Sequence, residues 1–112
     1  MRVDVTTPEF VSFYNAVIAR VTEHYQTHYK VLPVPEFRIE PGSKFIRIVV
    51  GGSVHAFVAR EDSTTKALGN VQAGDVMKAA TYRAPAKHAR GNIFDTANGS
   101  GRMTASGPEY LI

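Results

Sequence analysis

The chain has 112 residues, a mass of 12.3 kDa, 44% hydrophobic residues and no cysteine; this fits one compact domain and excludes disulfide frameworks, thiolate metal sites and cysteine nucleophiles. Thirteen Lys and Arg against ten Asp and Glu leave a net charge of +3 and a pI near 9.4, and no apolar run approaches the roughly 20 residues of a membrane span. Met1-Arg2-Val3-Asp4 opens without an apolar stretch, so the expectation is a cytoplasmic protein with neither signal peptide nor membrane partner.

Thr6-Thr7-Pro8-Glu9 reads as a helix start, with Thr7 as cap and Pro8 at the first helical position, or with Thr6 and Glu9 as a capping box. Phe10, Phe13, Tyr14, Val17, Val21, His24, Tyr25 and His28 then recur at three- and four-residue steps. That period predicts a helix over about residues 8–29 with one apolar stripe. Pro33 and Pro35 forbid its continuation.

The period then changes to two. Residues 37–40 run into Pro41-Gly42, residues 44–50 into Gly51-Gly52, and residues 53–60 follow, which predicts two antiparallel hairpins. Gly51-Gly52 as a two-residue loop sets Ile48 opposite His55, Ile46 opposite Phe57 and Phe45 opposite Val58. The first hairpin sets Phe37 beside Ile46. One face then carries Phe37, Ile39, Ile46, Ile48, Val50 and Phe57 and seats the helix. The other carries Arg38, Phe45, Arg47, Val49, Val54 and Val58, and being half apolar it needs cover from the C-terminal segment or from a partner.

Residues 61–72 read as a surface loop, and 75–80 as a strand returning beside 53–60. Beyond Tyr82 the pattern fades through Pro85, Gly91-Asn92 and Asn98-Gly99-Ser100-Gly101, while Tyr110-Leu111-Ile112 ends on apolar residues that imply docking. The expected fold is α+β, a single domain over 1–112: one long N-terminal helix packed on a three- to four-stranded antiparallel meander, with an irregular basic C-terminal segment.

Charge is distributed unevenly. Residues 1–65 hold seven bases and seven acids, whereas 66–112 hold six bases and three acids. Between Asp75 and Asp95 there is no acid, while Lys78, Arg83, Lys87, His88 and Arg90 crowd the interval. Such a segment suits an anionic partner. Lys78, Arg83, Lys87 and Arg90 are candidates for phosphates, Tyr82 for stacking on a base, and His88 and Asn92 for hydrogen bonds to base or sugar. The plainer reading is a solvated loop whose arginines pair with Asp75 and Asp95.

Other constellations are weaker. His24 and His28 stand at a spacing where two imidazoles share a metal, with His55 as a third candidate, but the glutamate of the zinc-protease motif is absent because Tyr25 follows His24. The plainer reading has both helix histidines in water, and no metal is assigned. His88, Asp95 and Ser100 supply triad residue types without the spacing of a known nucleophile element. The sequence therefore favours a binding protein over an enzyme and implies no cofactor.

Gly74-Asp75-Val76-Met77-Lys78-Ala79-Ala80, followed by Ala84 to Asp95, resembles small uncharacterised tailed-phage proteins in which an SVHAFV-type strand precedes a GDVxKAA strand and an APAKHARGN loop. The resemblance covers residues 43–95 and leaves the N-terminal helix outside. It implies a phage-encoded protein acting in the host cytoplasm or packaged in a virion, and transfers no activity.

Two functions follow as expectations. One is an accessory domain binding DNA or RNA, or another phosphorylated partner, through the basic segment. The other is a protein-binding module, docking on a host protein or forming a homo-oligomer, with Phe45, Arg47 and Val49 on the half-apolar sheet face as its interface.

Overall fold

Helix α1 forms where the apolar period places it. In the computed structural model, which describes residues 2–110, α1 spans Pro8–His28 and buries Phe10, Phe13, Val17 and Val21. Pro8 takes the first turn as expected, but Thr7 does not cap with its side chain. Its hydroxyl instead accepts from the Asp4 amide at 2.9 Å, and the Asp4 carboxylate accepts from the Thr6 amide at 2.8 Å. The turn preceding the helix thus uses the groups that a capping box would have used.

The sheet is antiparallel, in the order β1-β2-β3-β6, formed by β1 (Phe37–Pro41), β2 (Phe45–Val50), β3 (Ser53–Ala59) and β6 (Val76–Met77). Two small ribbons accompany it: β4 (Ser63–Thr65) with β5 (Gly69–Val71), and β7 (Met103–Thr104) with β8 (Gly107–Pro108). The α+β arrangement of one helix on a four-stranded antiparallel sheet is as the sequence predicts. The expected loop over 61–72 carries the β4–β5 ribbon, and the strand expected over 75–80 is confined to Val76–Met77.

Register departs from expectation in both hairpins, and in the second with a large consequence. Next to the Gly51-Gly52 turn the pairing is as expected, Val50 with Ser53 and Val49 with Val54, and Gly51 adopts the positive φ the turn requires. A β-bulge then intervenes between Ile48 and Val49, so that Ile48 pairs with Ala56, Ile46 with Val58 and Arg47 with Phe57. One extra residue moves every later side chain to the opposite face. Val58 therefore joins the helix-facing core, and Phe57 faces outward, the reverse of the assignment from sequence. In the first hairpin Phe37 pairs with Val50 rather than Ile46. That displacement is even, so Phe37 and Ile39 keep their expected face. Pro41 ends the edge strand β1, where a missing N–H is tolerated, and the chain reverses over 42–44, closed by Gly42 N–H donating to the Phe45 carbonyl at 2.8 Å.

Two apolar clusters result. The helix stripe packs with Ile46, Ile48, Ala56, Val58 and Val76, joined by Val3, Ile93 and Met103. On the outer face Phe57, Ala59, Val71 and Met77 pack with Phe45, Val54, Leu68 and Ala79. The half-apolar face is thus covered by the chain's own later segments. Asn98 fastens that later chain to the helix, its amide donating to the Glu9 carbonyl at 3.0 Å and the Ile93 carbonyl at 2.8 Å. Among the described residues, no helix is long and apolar enough to cross a membrane. The expected docking of Tyr110-Leu111-Ile112 lies largely outside the described residues; Tyr110 is exposed, with the Lys78 ammonium 4.0 Å from its ring centre.

Candidate nucleic-acid interface

The basic segment folds as a hairpin laid across the sheet. Ala79 and Pro85 form an isolated bridge, and the Ala86 N–H donates to the Lys78 carbonyl at 2.6 Å. At the tip the Thr81 hydroxyl accepts from the amides of Arg83 and Ala84 at 3.2 and 3.1 Å. This tight turn places Tyr82 and Arg83 against the outer ends of β1 and β2.

Tyr82 is held there by three groups. Its hydroxyl donates to Glu40 Oε1 at 2.7 Å and accepts from Arg38 at 2.9 Å, and its carbonyl accepts from Arg47 Nε at 2.9 Å. The Tyr82 hydroxyl, followed by Arg38, holds the Glu40 carboxyl below the ordinary glutamate range. The Arg47 guanidinium lies between two rings, 5.8 Å from the centre of Phe57 and 5.6 Å from that of Tyr82. Such placement is typical of arginine, whose flat, weakly hydrated cation stacks on aromatic faces.

Beside this stack is a cleft of about 210 Å³ lined by Gly42, Ser43, Lys44, Phe45, Arg47, Phe57 and Arg83. Phe45 and Phe57 meet edge to face, 6.0 Å apart. Among the described residues the lining holds three cations and no carboxylate, and Glu40 stands 4.0 Å from Arg47. Arg83 from the basic segment and Phe45 and Arg47 from the proposed protein interface, assigned to different partners by sequence, here line one cleft. Lys44 was not a candidate. It lies in the charge-balanced half of the chain, and only its place in the reversal between β1 and β2 marked it for exposure at the sheet's end.

The remaining candidates divide. Lys87 and His88 are exposed, His88 with a φ of +73°. Arg90 is buried and turns inward: it donates to the carbonyls of Lys87 at 2.8 Å, His88 at 2.6 Å and Glu109 at 3.2 Å. Burial, and then Arg102, lowers its pKa from the ordinary arginine value. Asn92 also turns inward, its amide donating to the Ala73 carbonyl at 2.9 Å and Asp75 Oδ1 at 3.0 Å while its oxygen accepts from the Phe94 amide at 2.8 Å. Arg90 is therefore a structural residue of the loop rather than a surface contact, whereas Asn92 is half-buried with its side-chain amide engaged within the loop. Lys78 is half-buried and donates to the Pro108 carbonyl at 2.9 Å. Val49, expected on an exposed interface, is completely buried, because the outer face is covered by the chain itself.

The other constellations resolve as follows. His24 and His28 have ring centres 4.6 Å apart, and His55 and His24 line a common cavity of about 240 Å³ with Tyr25 and Tyr29. Among the described residues, no group of three or more His, Cys, Asp or Glu side chains is placed to hold a metal. His55 is buried with no hydrogen-bond partner at Nε2; burial, with Lys78 adding to it, lowers its pKa to about 4. Asp95, considered beside His88, instead accepts from the amides of Asn92, Ala97 and Gly99.

The chain belongs to a family of unknown function (DUF7717), whose model matches residues 10–107. No curated protein and no solved structure matches it. The matched span takes in α1 from Phe10 onward, the four-stranded sheet and the cleft.

Proposed function

We propose that the protein binds nucleic acid through phosphate contacts from Lys44, Arg83 and Lys87. The observation that carries this reading is the cleft between the β1–β2 reversal and the tip of the 79–85 hairpin, where three cations surround two phenylalanines and no carboxylate lines the wall. Lys44 and Arg83 extend from turns, where a phosphate backbone can approach without meeting the sheet. Arg47 is engaged with Tyr82, Glu40 and the Phe57 ring and supplies field rather than a mobile phosphate contact. Lys87, further along the same hairpin, extends the positive path.

Fluorescence anisotropy with a labelled oligonucleotide across 50 to 200 mM salt tests the reading. Three phosphate contacts give a log–log salt slope of about −2.1 on a single strand and about −2.7 on a duplex. Arg83→Gln and Lys44→Gln should each reduce the magnitude of the slope by about 0.7 to 0.9. Binding whose salt dependence is the same in both variants as in the parent chain would remove the assignment.

A protein-binding module is the second reading, supported at a different place from the sheet face. In the connection from α1 to the edge strand β1, Val31 is 94% exposed and Leu32 53%. Exposed apolar side chains in this connection favour a protein partner. Sedimentation of the parent chain and of Val31→Ser separates the cases: self-association abolished by the substitution places a homo-oligomer contact there, and a monomer throughout excludes one.

A further inference from the structure

We propose that the Phe45 cleft receives a single unpaired nucleobase, so that the partner is a single strand rather than a duplex. This rests on the phosphate-binding reading and adds to it the class of nucleic acid. The argument begins with size. At about 210 Å³ the cleft is below the roughly 300–1,000 Å³ of pockets that enclose drug-sized ligands, and it admits one ring system with little to spare.

The walls suit a flat aromatic guest. Phe45 is half-buried and meets Phe57 edge to face at 81°, which leaves the Phe45 ring as wall rather than filler. The Arg47 guanidinium, anchored at Nε by the Tyr82 carbonyl and stacked between Tyr82 and the buried Phe57, closes the cleft floor and leaves Phe45 as the ring open to a guest. Bases stack on aromatic rings and on arginine planes in sequence-tolerant single-strand recognition. Lys44 and Arg83 at the rim then meet the phosphates on either side of an inserted base.

A duplex cannot use this cleft. Its bases are paired and stacked, and the grooves present base edges rather than a free ring face that could lie against Phe45. An unpaired base needs no extrusion and enters without the cost of opening a pair.

The test uses a labelled single strand of roughly 12 nucleotides, the same strand as a duplex, and an abasic strand with the same phosphates. The parent chain should bind the ordinary single strand more tightly than either of the others. Phe45→Leu should lose about 5- to 160-fold on the ordinary single strand, the range a stacked base contributes, and clearly less on the abasic strand. Because Phe45 also packs on Phe57, a second variant guards against misfolding. The chain has no tryptophan, so Phe45→Trp introduces a lone indole that a stacked base quenches. Quenching by the single strand and not by the abasic strand is expected. Equal affinity for single strand and duplex with an unquenched indole overturns the inference while leaving salt-dependent phosphate binding intact. Absence of salt-dependent binding to every probe overturns the phosphate reading itself, and this proposal with it.

Discussion

The hydroxyl of Tyr82 donates to Glu40 Oε1 at 2.7 Å, joining residues 42 positions apart in the chain. Through this bond the tip of the 79–85 hairpin is fixed to the edge strand, and Arg83 is delivered beside Lys44 and Phe45. Its place in the basic segment marks Tyr82 as a base-stacking candidate. Its ring is instead paired with Arg47, and its main service to the cleft is to position other side chains.

Tyr82→Phe should therefore loosen the hairpin without unfolding the sheet. The lost bond is solvent-facing, so global stability should fall by no more than about 1 kcal/mol. Hydrogen exchange at the Ala86 amide, which donates to Lys78 within the hairpin, should accelerate by up to about fivefold. An unchanged exchange rate would show that the tip is held by its own turn alone.

Arg90 and Lys87 stand three residues apart in the same basic run and should behave oppositely. Arg90→Leu leaves the carbonyls of Lys87, His88 and Glu109 without their donor, and removal of such a buried hub costs about 2–4 kcal/mol. For a domain of this size that lowers Tm by roughly 8–16 °C. Arg90→Lys should recover only part of the loss, because an ammonium cannot reproduce the guanidinium fork. Lys87→Ala should stay within about 0.5 kcal/mol. Thermal unfolding of the three variants decides it, and a mild Arg90→Leu would return Arg90 to the surface.

These two residues mark the limit of what the sequence discloses. The apolar period gives α1 and the strands because burial of a stripe or a face leaves a trace at every third, fourth or second position. A side chain's choice between water and a backbone carbonyl leaves no such trace: Arg83 and Arg90 look alike in the chain, and only the path of residues 86–109 separates them. The bulge is a similar case. The Gly51-Gly52 turn is legible from residue type, but the extra residue at His55 depends on how β3 bends to meet its neighbours, and it exchanges the faces of Phe57 and Val58. Lys44 was hidden for a further reason: charge counted along the chain separates it from Arg83, whereas the fold places both at one cleft.

His55 should make the protein sensitive to mild acid. Its native pKa is about 4, depressed by burial and then by Lys78, whereas an unfolded histidine titrates near 6.5. Between these values the unfolded chain binds a proton that the native chain refuses, so the stabilisation is fully present above about pH 6.5 and is lost as pH falls toward 4. At about 1.36 kcal/mol per unit the loss reaches about 3 kcal/mol. Urea unfolding from pH 7 to 4 should show this decline in the parent chain and a flatter profile in His55→Gln. Parallel profiles would mean that the acid limb belongs to other groups.

Gly99 tests whether the irregular C-terminal segment is part of the core or an appendage to it. Its φ is +75°, and a Cβ there would stand 2.9 Å from Val76 Cγ2, 3.2 Å from Phe13 Cδ1 and 3.3 Å from the Ile93 amide nitrogen. Val76 and Phe13 are both fully buried, one from the sheet and one from the helix, so neither can yield without opening the packing between α1 and β6. The Gly99 amide also donates to Asp95 Oδ1 at 2.9 Å, and that carboxylate is held below its ordinary range first by this bond and then by the Asn92 amide. Gly99→Ala therefore combines an unfavourable backbone region with overpacking, and should cost about 2–4 kcal/mol. Gly101→Ala, where the nearest atom is the Ala97 methyl at 3.6 Å, should cost less than about 1 kcal/mol. Denaturant midpoints for the pair measure the difference. Equal and small effects would mean that residues 95–101 merely lie on the surface of the helix–sheet core, whereas a loss confined to Gly99→Ala shows that the segment closes it.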